Sequence, residues 1–383
     1  MLWSLEGLSV FVDLSTYCNA GCPQCHRTEQ KGGLGKVDWL PLVQWSLEEF
    51  KNAFPPKELK HIRRFKLCGT WGDPMMNKDI YDIVKYVMDN TLFTTVSIDT
   101  NGSIRNSDFW WDFGVMGGER LEVIFDIDGI DQAMHEKYRR FTSLEKVLDN
   151  MATFAQTRAI AKSQTILFKH NQDYKDDILK LVKSNGSTGH EFVISDRFEG
   201  KSTINGKRYF YGVENEKEYL EPANPKVLTN PRLTGAYVPT TERVNNVQKM
   251  SVHELKPEEV KQVAELSSEI VCRWARPRNE IVVNPDGQVM PCCFHANAHY
   301  QSRVDPTCNP DLDRNDIYAT EYNNNLKKYN VFHTPLSEII NSEWYKKTLP
   351  NSMKGDNPVP QCERHCSNRI SKTHQLRDRH VTK

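Results

Sequence analysis

Over the first 195 residues, short apolar runs alternate with stretches whose apolar residues recur at helical spacing. Few architectures accommodate that rhythm. The strand-like runs are 8–14 (LSVFVDL), 62–69 (IRRFKLCG), 93–99 (FTTVSID), 121–127 (LEVIFDI), 164–169 (QTILFK) and roughly 191–195 (EFVIS). Helical stripes lie among them: Leu40, Val43, Leu47 and Phe50; Ile80, Ile83, Val84, Val87 and Met88; Leu144, Val147, Leu148, Met151 and Phe154; Ile178, Leu181 and Val182. The alternation predicts an α/β fold with a parallel sheet and right-handed crossovers. In such folds ligands gather at the carboxyl ends of the strands. Hydrophobic content of 38% over 383 residues is enough for one large domain and a smaller one.

The chemistry-bearing residues fall at those strand ends. After the first run comes DLSTYCNAGCPQCHR (13–27), with Cys18, Cys22 and Cys25 in one short loop. Three thiolates at this spacing can hold three corners of a cubane iron–sulfur cluster and leave the fourth iron open to a small molecule. A zinc knuckle with His26 as fourth ligand, or plain structural cysteines, are the competing readings. After the second run stands Gly69-Thr-Trp-Gly-Asp-Pro74, after the third Asn101-Gly102, after the fourth Phe125-Asp-Ile-Asp-Gly129 leading to Tyr138-Arg139-Arg140, and after the fifth Asn171. Near the C-terminus lie Cys272, Cys292, Cys362 and Cys366, with Gly287 ahead of Cys292 and Cys293 able to replace it. Four thiolates there suit a second cluster or a zinc ribbon equally. Cys68 and Cys308 read as buried small hydrophobes.

With these motifs the chain resembles the radical S-adenosylmethionine (radical SAM) superfamily. The resemblance implies a partial (β/α)6 barrel of the TIM type with a small C-terminal Cys-rich domain like the twitch domain, the shorter relative of SPASM. It implies a [4Fe–4S] cluster on Cys18, Cys22 and Cys25 whose open iron holds SAM by its amino and carboxylate groups. Gly72 and Asp73 would meet the SAM ammonium, with Asp standing for the usual Glu and Trp71 where Gly is common. Asp126 takes the usual serine position, Arg139 would pair with the SAM carboxylate, and Asn171 would lie near the ribose. Gln24 replaces the aromatic that usually packs near the adenine, so that other residues or a hydrogen bond from this amide would complete the adenine site. Cys272, Cys292, Cys362 and Cys366 would bind one auxiliary [4Fe–4S] cluster. The activity implied is reductive cleavage of SAM to a 5′-deoxyadenosyl radical that takes hydrogen from the substrate, with the auxiliary cluster aiding oxidation or cross-linking. An electron donor such as a flavodoxin or ferredoxin is implied as partner. The substrate is a peptide or protein side chain on one reading, a small molecule or nucleotide on another. A non-catalytic metal-binding or electron-transfer module is the reading of a different class. Asp128 and His295 are acid–base candidates by proximity alone.

The expected division is 1–196 for the barrel, 197–270 for an insertion or linker with a short helix after Pro257, and 271–383 for the cluster domain. The turn-rich segment 197–256 shows no clean periodicity and is placed over the barrel mouth. Residues 280–291 read as a hairpin turning at Pro285-Asp286-Gly287, 305–330 as loop, and 336–347 as a final helix. Lys+Arg and Asp+Glu both number 50, so no general nucleic-acid or membrane field is implied, although the tail from Arg364 is mostly basic. No run is long enough to span a bilayer. The N-terminus lacks the basic region and cleavage site of a signal peptide, and the clustered cysteines suit a reducing cytoplasm. Gly200-Lys201-Ser202 lacks the glycine a phosphate loop needs five positions earlier, and Gly32-Gly33-Leu34-Gly35 does not open a crossover helix.

Overall fold

The computed structural model describes residues 2–30, 32–195, 197–198, 203–228, 232–234, 270, 272–275, 277–305, 321, 324–354, 359, 361–362, 366 and 375–381. The expected helix after Pro257, Cys308 and the Gly200-Lys201-Ser202 stretch lie outside them.

Six parallel strands follow one another in chain order: β1 (Leu8–Val12), β2 (Ile62–Leu67), β3 (Thr95–Thr100), β4 (Leu121–Asp126), β5 (Ile160–Leu167) and β6 (Gly189–Ile194). Sequential order with helical crossovers is the arrangement of a partial barrel. The helices are α1 (Leu47–Ala53), α2 (Pro56–Leu59), α3 (Ile80–Asn90), α4 (Ser107–Gly117), α5 (Gln132–His135), α6 (Leu144–Ala155) and α7 (Lys175–Ser184). Their starts are written locally. Ser46 and Glu49 form a reciprocal capping box on α1, Asn106 caps α4 and Ser143 caps α6, each such cap contributing about 1 kcal/mol.

Burial alternates residue by residue along β4 and β5. In β4, Leu121, Val123 and Phe125 are buried against the helices, while Glu122, Ile124 and Asp126 on the other face remain half-exposed. Lys66, Asp99, Lys162 and Gln164 occupy equivalent half-exposed positions. A closed barrel fills that space with branched apolar layers. Here the inner face carries ion pairs instead, Lys66 with Asp99 at 2.9 Å and Glu122 with both Lys162 and Arg64.

Four features differ from the sequence expectation. Leu40 and Val43 precede α1 in irregular backbone, because the helix begins only after the Ser46 cap. Helix α4 was not anticipated. Its DFWWDFGVMG is apolar on too many sides to show a stripe, and Gly114 lets α6 approach so closely that a Cβ there would lie 2.4 Å from Thr157 Oγ1. Residues 203–220 form a three-stranded antiparallel sheet, β7 (Thr203–Ile204), β8 (Lys207–Tyr211) and β9 (Lys217–Leu220). Finally, the main sheet runs past six strands. After β10 (Arg232–Thr234), β11 (Glu280–Val283) joins it parallel to β1 and turns back into β12 (Val289–Met290), while β13 (Gln375–Val381) pairs antiparallel with β6 and with β10.

The expected hairpin is therefore present, with Gly287 at φ +83° in its turn, and its first strand is also a barrel strand. The chain goes on into α8 (Cys293–Val304) and α9 (Leu336–Ile340). These pack into the same core as the barrel rather than a separate one. Trp3 meets Tyr345 edge-on at 5.7 Å, Trp45 meets Phe332 at 4.5 Å, and Glu58 accepts from the Ser337 backbone and hydroxyl.

Candidate functional site

The N-terminal thiols sit in a loop held from both ends. Thr16 N–H donates to Val43 O, its hydroxyl to Pro41 O, and Arg27 Nε closes the far side onto Thr16 O at 2.9 Å. Cys25 N–H to Cys22 O and Thr28 N–H to Cys25 O wind the second half into a turn. Cys22 is buried, with Cys18 and Cys25 half-buried, in a cluster with Ala20, Leu34, Tyr138, Phe168, Phe210 and Leu220. The last two come from the small β7–β9 sheet, which thus packs against the cysteine loop.

Burial pushes the Cys22 thiol up to about 12, against the pull of Arg139 and with the push of Cys25, Asp128 and Asp126. Burial lifts Cys18 further, helped by Asp73, Cys22 and Cys25. Thiols so placed ionise when a metal supplies the counter-charge. Among the described residues no three His, Cys, Asp or Glu side chains close round a single ion position. In a cubane each thiolate binds its own iron, so the three need not meet at one point. His26, the fourth ligand on the zinc reading, has its ring 6.3 Å from that of Trp71, and burial together with Arg197 and Arg208 lowers its pKa to about 4.

Gly72 brings the second motif against this loop. A Cβ there would stand 2.4 Å from Ser15 O and 2.6 Å from Tyr17 O, so only glycine allows the approach. Asp73 N–H then donates to Tyr17 O at 2.7 Å. The Asp73 carboxylate is fully engaged by protein groups. Oδ1 accepts from Met75 N and the Thr100 hydroxyl, and Oδ2 from Thr100, Asn101 N and Asn101 Nδ2 at 2.6–3.0 Å. Asn101 also donates to Asn19 Oδ1 and lies 3.9 Å from Cys18 Sγ. Gly102 has φ +71°, and a Cβ would lie 2.7 Å from Phe125.

The third motif is a buried charge cluster. Arg139 bonds Asp128 Oδ2 through Nε at 2.5 Å and Asp126 Oδ2 through Nη1 at 3.1 Å, with Nη1 also 3.9 Å from Cys22 Sγ. Burial raises Asp126 to about 7, with Arg139 lowering it and Asp128, Asp99 and Asp73 raising it. The other Asp128 oxygen accepts from Ile166 N. Asn171 is fully buried and donates to Asp128 O and Ile166 O while accepting from Phe168 N, locking the ends of β4 and β5 together. Gln24 likewise serves the chain itself, donating to Arg197 O at 3.0 Å and accepting from the Ser195 hydroxyl at 2.8 Å.

One contact the sequence does not signal is Phe141. It adopts φ +66°, a strained backbone for a bulky residue, and its ring presses on Gly21, where a Cβ would be 2.5 Å away. Gly21 N–H donates to Arg140 O, so 138–141 straps the cysteine loop.

At the other site Cys292, Cys362 and Cys366 are buried and Cys272 and Cys293 half-buried. After burial, Cys292 is raised by Cys293, Cys362 and Cys272, while Cys272 and Cys293, raised to about 11 and about 12, both respond to Cys366. The four expected residues and Cys293 thus form one neighbourhood, with His295 Nε2 3.4 Å from Cys362 Sγ.

Residues 272–367 match the SPASM iron–sulfur cluster-binding domain. No curated protein matches the chain. Among solved structures, SuiB of Streptococcus suis is similar at 10% identity over 91% of this chain and 68% of its own, with TM-score 0.51. Native anSMEcpe with bound AdoMet is similar at 14% identity over 94% and 89%, TM-score 0.51. The same protein with bound AdoMet and the Cp18Cys peptide matches at 13% over 96% and 91%, TM-score 0.50. At these identities the likeness is one of fold.

Proposed function

Taking as premise a chain with the radical SAM fold and a C-terminal SPASM domain, we propose a radical SAM enzyme that modifies a peptide or protein side chain. The observation that carries it is the gathering of Cys18, Cys22 and Cys25 at the carboxyl end of β1, with Gly72 pressed on their loop and Arg139 beside Cys22. The three thiolates would hold a [4Fe–4S] cluster with one open iron, and Cys272, Cys292 (or Cys293), Cys362 and Cys366 an auxiliary one. When bound, the first cluster and SAM supply a 5′-deoxyadenosyl radical able to take hydrogen from an unactivated C–H bond, and the second cluster takes or gives an electron.

The chain's own residues position these groups. Asp73 acts as a strut, binding the Gly72 turn to the end of β3 so that the backbone at 72–73 faces the cysteine loop. Arg139 is bonded to both Asp126 and Asp128. An incoming carboxylate would compete with Asp126 for Nη1, and the high pKa of Asp126 makes its release as a neutral acid inexpensive. Asn171 and Gln24 hold the rim in shape, and the strap at 138–141 with the β7–β9 sheet covers the loop against water. The mixed-charge inner face offers polar groups to a substrate entering the barrel.

A peptide substrate is favoured by the fold shared with anSMEcpe, solved with a peptide bound. We divide the chain at 196 and 270 into barrel, insertion and cluster domain, and assign it to a reducing cytoplasm with a flavodoxin or ferredoxin as donor. The nine described cysteines are all free thiols. Iron analysis after anaerobic reconstitution tests the two-cluster reading. About eight irons per chain are expected, falling to about four in Cys22→Ala and in Cys272→Ala. Zinc at either site, or iron unaffected by either replacement, contradicts it.

A further inference from the structure

We propose that His295 is a positioning residue of the C-terminal thiol site, its ring bonded to Cys362 and raising the reduction potential of the cluster held there. The inference rests on the auxiliary-cluster reading above. His295 is the third residue of α8 and 3% exposed. Its ring Nε2 stands 3.4 Å from Cys362 Sγ. The ring therefore ties the start of α8 to a thiol of the far C-terminal pair, 67 positions on from His295.

The direction of the ring contact follows from the chemistry. An iron-bound thiolate carries no proton and can only accept, so the imidazole must place its N–H on Nε2. Such a bond draws electron density from the sulfur and favours the more negative, reduced state of the cluster, which raises its potential. Burial strengthens the effect. Five cysteines, 272, 292, 293, 362 and 366, already share this neighbourhood, and a cubane takes four, so the imidazole is not needed as a ligand. A raised potential makes the auxiliary cluster a better electron acceptor from a substrate radical, which deepens the proposed function towards net oxidation.

The test uses the full chain with Cys18, Cys22 and Cys25 replaced by Ala, so that the remaining iron belongs to the C-terminal site. Redox titration followed by electron paramagnetic resonance gives its midpoint. His295→Leu is expected to retain about four irons and shift the midpoint to lower potential, and His295→Gln, which keeps an N–H of similar reach, to recover part of the shift. An unchanged midpoint in His295→Leu overturns the proposal. Loss of iron from His295→Leu also overturns it, since the imidazole would then be a ligand or a scaffold. Absence of iron from the parent variant instead removes the auxiliary-cluster reading itself.

Discussion

Asp13 directly follows β1, with its carboxyl buried. Oδ1 accepts from Thr70 N–H at 3.1 Å, while Oδ2 has no hydrogen-bond partner among the described residues. Burial lifts its pKa from 3.8 to about 7, opposed by the Thr70 and Trp71 N–H groups. Below about pH 4 the group is protonated in both folded and unfolded chains and costs nothing. As pH rises from there to about 7 the unfolded chain releases the proton first, so stability is lost across that window and the loss is complete above it. Asp13→Asn carries no charge at any pH. Urea unfolding should show the variant gaining on the natural protein between pH 5 and pH 8; an equal difference at both values would mean that Asp13 titrates normally. At this scale legibility in the sequence followed distance along the chain. Cys18, Cys22 and Cys25 were readable because their spacing is local. The partners of Asp73, Thr100 and Asn101, lie 27 and 28 positions away, beyond any local pattern. Gln24 was read against the adenine, yet its amide bonds the segment after β6, 171 positions on.

The β7–β9 sheet reaches the cysteine loop from outside the strand–helix alternation. Phe210 and Leu220 supply the apolar contact, Arg140 of the strap pairs with Glu218, and Tyr211 N–H donates to Gln30 O. Both partners of the ion pair are partly buried, so it is worth more than a surface pair but a small part of total stability. Glu218→Ala should raise amide hydrogen exchange across Lys207–Leu220 while the global unfolding midpoint hardly moves. Unaltered exchange there would mean that the sheet is held by its apolar contacts alone. Strands were legible as short apolar runs set between helical stripes. Helix α4 was not, since Trp110, Trp111 and Phe113 blur its stripe and the cue is the Asn106 cap. The second role of β11, as neighbour to β1, depends on a pairing 271 positions apart (Ser9 with Glu280) that no local pattern records.

On the scale of the whole molecule, the C-terminal segment shares its core with the barrel, through Trp3 and Tyr345, Trp45 and Phe332, and the β1–β11 pairing. Both thiol sites are thereby fixed to one body, as the electron exchange proposed for them would require. That arrangement serves the purpose assigned to it only if the N-terminal thiols bind a cluster that splits SAM. The direct measurement is 5′-deoxyadenosine released from SAM by the anaerobically reconstituted, reduced full-length chain. Release by the natural protein and none by Cys22→Ala is the expected result; no release from a protein carrying its full iron, or equal release from both, would contradict the account.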